Sequence, residues 1–137
     1  YYGNWYEVST HVDGFSSFYM DPDSIKVKDG NLNFWTLIDY ASPMKDKPLM
    51  ILSEVSRIEV NCEEDKLRNE VIIHYANNMG KGDMKLLNDS PSTDWMTPPP
   101  GSNYQGYIKF GCGIIKLSDE EREEIKKEWM AEMREDS

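Results

Sequence analysis

Residues 67–75, LRNEVIIHY, carry the clearest strand pattern in this sequence of 137 residues. Apolar side chains recur there with a period of two, as they do in a half-buried strand. The residues that share the apolar face are Leu67, Val71, Ile73 and Tyr75. His74 falls on the other, more polar face, where a surface histidine is a more common outcome than a catalytic one. The stretch therefore predicts a β-strand with one buried face.

Shorter strand patterns precede it, separated by residues that favour turns. Residues 5–10 and 17–20 flank Asp13-Gly14, a dipeptide typical of tight turns, and predict a hairpin. Asp21-Pro22-Asp23-Ser24 follows directly, and its acidic and proline residues predict a tight turn or a single helical turn. Residues 25–29 then run into Gly30-Asn31, which predicts another hairpin.

Two longer strands are predicted at residues 32–40 and 50–61. In the first, alternation places four apolar residues on one face: Leu32, Phe34, Ile38 and Tyr40. In the second, the apolar positions change parity midway, from Ile51 and Val55 to Ile58 and Val60. Such a change predicts a β-bulge or a strong bend within the strand.

Residues 102–112 predict a helix. An apolar stripe recurs there at i, i+3, i+4 and i+8 in Tyr104, Tyr107, Ile108 and Cys112. Ser102 precedes the stripe and is a suitable N-cap residue. Gly106 and Gly111 lower the helix propensity of the segment, but a helix remains the favoured interpretation.

A second helix is predicted for residues 118–137, which begin with the capping-box pattern Ser118-Asp119-Glu120-Glu121. Its apolar residues form one narrow stripe: Ile125, Trp129 and Met133. These residues hold nine acidic and four basic side chains, a net charge of −5 and half of the −10 of the chain. We favour a helix whose stripe docks on its own domain, with a partner-binding helix as the alternative. The predicted division is a domain at 1–117 and an acidic helical extension at 118–137.

The composition excludes several classes of protein. A charge of −10 argues against nucleic acid or an anionic membrane surface as a partner, because both attract clustered Lys and Arg. An aromatic content of 12 % argues against an acidic disordered tail. The longest apolar run is far shorter than the roughly 20 residues of a membrane-spanning helix. The chain begins without Met, so we expect a processed product whose export signal or lipid anchor lies outside it.

The two cysteines, Cys62 and Cys112, allow three interpretations. They are fifty positions apart, and neither lies in a CxxC motif or at metal-ligand spacing from His11 or His74. They could form a disulfide, remain free thiols in a core, or join dispersed zinc ligands, and spacing alone does not separate these. A metal site is the least favoured of the three.

Catalysis is not expected. Cys112 with His74 could form a nucleophile–base pair, and Asp21 with Asp23 could supply paired carboxylates. However, the sequence contains no phosphate-binding Gly-rich loop, no GxSxG and no HExxH. The spacing of an EF-hand calcium loop is missing as well. The sequence predicts a protein that is not an enzyme and has no cofactor.

Several segments in order resemble the surface-adhesin protein E family, small exported proteins or lipoproteins of Gram-negative bacteria. The resemblance spans residues 5–113, and it is carried by residues 18–25 (FYMDPDSI), 35–40 (WTLIDY), Cys62, 78–82 (NMGKG), Trp95, 100–102 (PGS) and 112–113 (CG).

This resemblance implies an α+β fold: one antiparallel sheet of about six strands, with a helix held to it by a Cys62–Cys112 disulfide. The charged helix at 118–137 would be an addition to that fold. Gly80 and Gly82 are expected to adopt backbone angles closed to other residues.

For function, the resemblance implies a non-enzymatic envelope protein in the periplasm or at the cell surface. It would bind a protein partner, with host extracellular matrix as one candidate, and it identifies no binding residues. The alternative is a periplasmic inhibitor or accessory subunit whose acidic surface binds a basic protein such as a lysozyme. Either a monomer or a homodimer fits, since an edge strand or the Trp129 stripe could form a symmetric contact.

Overall fold

A computed structural model describes residues 3–10, 16–46 and 49–135, which form one antiparallel sheet followed by two α-helices. The seven strands are β1 Tyr6–Thr10, β2 Ser16–Met20, β3 Lys26–Lys28, β4 Asn31–Asp46, β5 Leu49–Asn61, β6 Lys66–Asn77 and β7 Lys81–Asn88. The helices are α1 Asn103–Ile114 and α2 Asp119–Glu135. The predicted α+β fold is thereby confirmed, with one very short strand beyond the expected six.

The strand order is β1-β2-β4-β5-β6-β7, and β3 pairs with β4 beyond the end of β2. A single 3-10 turn, Pro22–Ser24, joins β2 to β3, as the sequence predicted. Two hydrogen bonds connect this turn to β4: Trp35 N donates to the side-chain Oγ of Ser24 at 2.9 Å, and the backbone N of Asp21, the N-cap of the turn, donates to Trp35 O at 3.0 Å. The predicted turn at Asp13-Gly14 lies outside the described residues.

The sheet buries side chains on both faces. The helix face packs against α1 and includes Phe18, Met20, Leu32, Phe34, Ile38, Ile58, Val60 and Leu67. The aromatic face has a smaller core of Leu37, Val55, Ile73 and Tyr75, covered in part by Trp5, Tyr19 and Trp35. A disulfide between Cys62 and Cys112, with Cα atoms 5.8 Å apart, ties α1 to the end of β5. The tethered helix implied by the resemblance is thus present.

The predicted face of Leu67 is wrong. Arg57 pairs with Val71 but Ile58 pairs with Asn69, so Glu70 is an extra residue in β6. This bulge puts Leu67 in the helix-face core, whereas Val71 packs on the aromatic face.

The apolar residues of β5 change parity because the two halves of the strand are buried on different faces of the sheet. Its first half supplies Val55 to the aromatic face, and its second half supplies Ile58 and Val60 to the helix face. The pairing of this part of β5 with β4 runs without interruption from Asp39–Ser53 to Leu32–Val60. The expected bulge therefore lies in the neighbouring strand, at Glu70, rather than in β5.

The turn at 78–80 folds over the aromatic face. Asp39 Oδ1 accepts hydrogen bonds from Met79 N at 2.8 Å and from Asn78 Nδ2 at 3.0 Å. Gly80 is buried, and its φ of +69° is the left-handed conformation that the sequence indicated. Gly82 likewise has a φ of +84°. The turn thereby closes one end of the aromatic-face core.

Helix α1 begins where predicted, because Ser102 Oγ accepts a hydrogen bond from Gln105 N at 3.2 Å. Of the two glycines that weakened the helix prediction, Gly111 is required by packing. A Cβ at Gly111 would lie 2.7 Å from Phe34 Cε1, so glycine allows the helix to approach the sheet.

Helix α2 begins with the predicted capping box, in which Ser118 and Glu121 exchange two hydrogen bonds of 3.2 Å. Arg122 then reaches back to α1, with Nε donating to Ile114 O at 3.1 Å and Nη2 to Ile115 O at 3.3 Å. The side chains of Trp129 and Met133 lie outside the described residues, so the predicted stripe is seen only at Ile125, which is half-buried.

The proline-rich segment at 90–101 runs beside β6, where β7 does not reach. Leu67 and Met96 exchange two backbone hydrogen bonds of 2.9 and 2.8 Å, and Ser92 N donates to Asn69 O at 2.8 Å. Trp95 lies between these contacts, with Lys66 Nζ 5.0 Å and Arg68 Cζ 4.6 Å from its ring centre. The segment is therefore ordered against the sheet.

Candidate binding groove

The structure separates the candidate nucleophile from its candidate base. Cys112 is bonded to Cys62, so its sulfur is not a free thiolate. His74 Nε2 lies 2.9 Å from Glu54 Oε1, and only 15 % of the His74 side chain is exposed. The expectation of a surface histidine is therefore wrong: the cross-strand neighbour Glu54 provides a polar partner for a mostly buried ring.

The two candidate carboxylates hold the 3-10 turn. Asp21 is buried, and its Oδ1 accepts from Asp23 N at 3.0 Å while its Oδ2 accepts from Asn4 N at 3.3 Å. Asp23 Oδ2 accepts from Asn4 Nδ2 at 3.1 Å. Their oxygens thus bond the backbone and side chain of the preceding segment, which is the role that a turn requires.

Three tyrosines on the helix face share one electrostatic environment. Burial raises the pKa of Tyr40 and of Tyr104, and the negative charge of Glu54 raises both further. Tyr107 is fully enclosed, and burial raises the pKa of its hydroxyl well above the ordinary value. These groups stay neutral at physiological pH and serve packing, with ring centres 6.1 Å apart for Tyr104 and Tyr107.

A groove of about 650 Å³ opens on the aromatic face, away from α1. We call it the charged groove. Its wall carries four basic side chains, three acidic ones and an indole: Lys26, Lys28, Arg57, Arg68, Asp29, Glu59, Glu70 and Trp35. Ser24, Asn33 and Pro91 complete the wall.

Sheet register assembles the charged groove from four strands. Lys26 lies opposite Asn33, Trp35 opposite Arg57, and Glu59 opposite Arg68, which places alternate residues of β3 to β6 on one face. The bulge at Glu70 brings a carboxylate beside Arg57. Within each strand these residues lie two positions apart, and only the register of the sheet brings the four strands together.

Arg68 is fixed within the charged groove. Its Nε and Nη2 both lie 2.7 Å from Glu59 Oε1, and its Nη1 donates to Ser92 O at 3.1 Å. Glu59 Oε2 accepts in addition from Asn31 Nδ2 at 3.1 Å. The charges of Arg68 and Glu59 therefore compensate each other.

Arg57 is held less completely. Its Nε lies 3.4 Å from Glu70 Oε1, and neither atom has a well-aligned hydrogen bond within the described residues. The guanidinium carbon is 5.8 Å from the centre of the Trp35 ring. The Arg57 side chain remains 40 % exposed, while Glu70 is 12 % exposed. Arg57 thus compensates Glu70 and still presents its outer edge to solvent.

A second, smaller concavity of about 220 Å³ lies between the 3-10 turn and α2. We call it the acidic cleft. Ile25, Ile114 and Ile125 supply apolar wall, and Asp23, Asp119 and Glu123 supply carboxylates. The cleft also includes Arg122, whose guanidinium donates hydrogen bonds to the carbonyls at the end of α1.

Sequence reasoning did not find the charged groove. The local signal was the alternation Lys26-Val27-Lys28, which puts two lysines on one face of a strand. The other members come mainly from β4, β5 and β6 and are brought beside the lysines by sheet register.

Within 3–10, 16–46 and 49–135, no three His, Cys, Asp or Glu side chains are grouped closely enough to hold a metal ion. Over the same ranges, neither helix has the length and apolarity needed to cross a membrane.

Comparison with solved structures identifies the fold. The chain is similar to Haemophilus influenzae protein E, with a TM-score of 0.63 at 14 % identity over 82 % of this chain and 86 % of that one. Protein E from non-typeable Haemophilus influenzae gives 0.60 at 14 % identity, covering 82 % and 78 %. A second crystal form of protein E gives 0.58 at 15 % identity, covering 70 % and 80 %. A search of curated proteins found no match.

The family model for surface-adhesin protein E matches residues 5–113, which include the whole sheet and nearly all of α1. The match ends before α2, in agreement with the extent of the resemblance seen in the sequence. It describes a family of surface adhesins and not an enzyme family. The chain belongs to the surface-adhesin protein E family.

Proposed function

We propose that this protein is an exported bacterial envelope protein that binds a protein partner through the charged groove and catalyses no reaction. The observation that carries the proposal is the groove itself, about 650 Å³ of charged surface beside an indole on the sheet face that α1 leaves open. Tryptophan and arginine are the side chains most often responsible for affinity at protein interfaces.

The family supports the location and the class of function. A surface adhesin acts outside the cytoplasm, where a disulfide such as Cys62–Cys112 persists. On this proposal the mature protein sits in the periplasm or at the cell surface, with a signal peptide or lipid anchor outside the present sequence. Host extracellular-matrix proteins are the first partners to test.

The experiment blocks the groove sterically. Both native cysteines form the disulfide, so a single added cysteine can be labelled without reduction. Lys28→Cys carries a polyethylene glycol maleimide into the groove, and Lys109→Cys, exposed on α1, is the matched control. Binding to immobilised laminin and vitronectin is measured by surface plasmon resonance.

We expect saturable binding that is lost when position 28 is labelled and retained when position 109 is labelled. Loss in both would show that the label acts elsewhere than in the groove. Saturable binding unaffected by the label at 28 would exclude the groove as the binding site. Absence of saturable binding to both matrix proteins would exclude them as partners.

A second candidate function is inhibition or support of a basic protein in the periplasm. The acidic cleft favours it, because three carboxylates surround an apolar wall beside a helix that is rich in Asp and Glu. Lytic activity of a lysozyme, measured with and without the protein at low salt, tests it. Charge-driven inhibition should weaken as salt is added, and unchanged lysis at low salt would remove this candidate.

A further inference from the structure

The charges in the charged groove are unevenly satisfied. Two of its three carboxylates are paired with arginines of the groove, Glu59 with Arg68 and Glu70 with Arg57. The third, Asp29, is exposed at the turn after β3, where its φ is +53°. Most of the acidic charge of the wall is therefore compensated by arginines of the same groove.

The basic side chains of the charged groove are compensated less completely than its carboxylates. Lys26 and Lys28 are both exposed, and the side chain of neither forms an ion pair or hydrogen bond with another residue in the part of the chain that the structure describes. Arg57 contacts Glu70 through Nε at 3.4 Å, and 40 % of its side chain is exposed, so its guanidinium is accessible to a ligand. A planar guanidinium edge of this kind suits a carboxylate, which it can bind with two parallel hydrogen bonds.

The spacing of the lysines indicates the shape of the ligand. Lys26 and Lys28 point to the same side of β3, about 7 Å apart along the strand. An extended peptide that carries carboxylates on alternate residues repeats them at the same interval of about 7 Å. Its intervening residues would face away from the lysines, and Trp35 beside Arg57 offers apolar contact to the peptide.

We propose that the charged groove binds an extended acidic segment of the partner protein, with carboxylates on alternate residues held by Lys26, Lys28 and Arg57. This inference rests on the proposed function, for which it names the chemistry of the partner. In a chain with a net charge of −10, the cationic edge is a local exception that orients an acidic segment toward one place on the surface.

The test uses a fluorescein-labelled peptide of alternating Glu and Ser, followed by fluorescence anisotropy at physiological salt. A Lys–Ser peptide of the same length and a heparin oligosaccharide are the comparison ligands. The double variant Lys26→Glu/Lys28→Glu reverses both lysine charges, and Lys81→Glu/Lys109→Glu makes the same charge change at exposed positions outside the groove. Circular dichroism verifies that both variants are folded.

We expect the acidic peptide to bind saturably and the basic peptide not to bind. The groove variant should weaken the binding by about tenfold, and the control by much less, because screening limits the effect of distant charges. Lys26→Gln/Lys28→Gln should give an intermediate affinity.

Three results would overturn the inference: no saturable binding of the acidic peptide, equal losses in the two double variants, or binding of heparin in place of the peptide. The results of this peptide test can be distinguished from those of the labelling test of the proposed function. If labelling at position 28 abolishes partner binding but the acidic peptide does not bind, the groove remains the binding site and the proposal of an acidic ligand is wrong.

Discussion

Gly111 of α1 lies against the ring of Phe34 on β4, so closely that a Cβ at position 111 would be 2.7 Å from Phe34 Cε1. Gly111→Ala is expected to destabilise the protein by about 1–3 kcal/mol, because a buried aromatic ring must shift to admit the methyl group. Urea unfolding followed by tryptophan fluorescence measures the change.

Gly113→Ala is the matched control on the same helix. Position 113 is exposed, and a Cβ there meets nothing within 4 Å. Alanine should therefore stabilise the helix by about 0.5–1 kcal/mol. Equal stabilities for the two variants would mean that Phe34 relaxes at no cost.

The disulfide is expected to supply much of the stability of the fold. It closes a loop with a sequence separation of 50. The chain-entropy model gives about 4 kcal/mol for a loop of this length. The double variant Cys62→Ala/Cys112→Ala should lose roughly that amount in urea unfolding. A loss far below 1 kcal/mol would show that packing of α1 on the sheet suffices without the crosslink.

Alkaline pH is expected to destabilise the protein. Burial raises the pKa of Tyr104 and Tyr107 in the folded state, so the folded protein retains protons that the unfolded chain releases. Stability from these groups is fully present below about pH 10 and declines as the pH rises above it.

The informative quantity is the difference between the native protein and a variant that lacks one of these hydroxyls. Tyr104→Phe keeps the edge-to-face contacts with Phe18 and Tyr107 but removes one hydroxyl. The loss of unfolding free energy between neutral pH and pH ~11 should be smaller in this variant. The same loss in both proteins would contradict a contribution from Tyr104.

Arg122 is expected to stabilise the junction between the helices. Arg122→Ala removes two hydrogen bonds to the carbonyls of Ile114 and Ile115 and a positive charge at the C-terminus of α1. We expect a loss of about 1–2 kcal/mol in thermal or urea unfolding. Lys127→Ala, exposed on the same helix, should have little effect, and equal losses in the two variants would show that the hydrogen bonds of Arg122 to α1 are not the cause.

A chain that ends at Leu117 is expected to fold, because the sheet, α1 and the disulfide all precede α2. Near-ultraviolet circular dichroism should match that of the full chain. Light scattering of both chains then tests whether α2 supports a dimer. A truncated chain that fails to fold would show that 118–137 belongs to the domain rather than extending it.

The strands and helices were predictable where one local signal determined them. Ser102 and the Ser118 capping box mark helix starts through their own side chains, and both begin where expected. The faces of β6 were not predictable by counting. Counting by twos groups Leu67 with Val71, Ile73 and Tyr75, yet the extra residue Glu70 puts Leu67 on the opposite face. The sheet buries apolar side chains on both faces, so an apolar residue is accommodated on either one.

The charged groove was beyond prediction for a different reason. Lys26, Trp35, Arg57 and Arg68 belong to four strands, and only their register places them together. His74 illustrates the same limit, since its partner Glu54 lies twenty positions earlier and turns an expected surface residue into a mostly buried one. The sequence specified which strands would form better than which side chains would meet.

The proline-rich segment at 90–101 also determines how the sheet can grow. Residues 92–96 take the position of a further strand beside Leu67 and Asn69, and the four prolines of the segment lie on either side of them, at positions 91 and 98–100. Because proline has no N–H to donate, a long strand from another chain could not pair without interruption along this segment. Pairing with a strand of another chain is therefore disfavoured along that part of the sheet edge, and among the described strands it is left to the outer strands β1 and β7. We accordingly expect a variant in which the four prolines are replaced to form cross-β fibrils more readily than the native sequence.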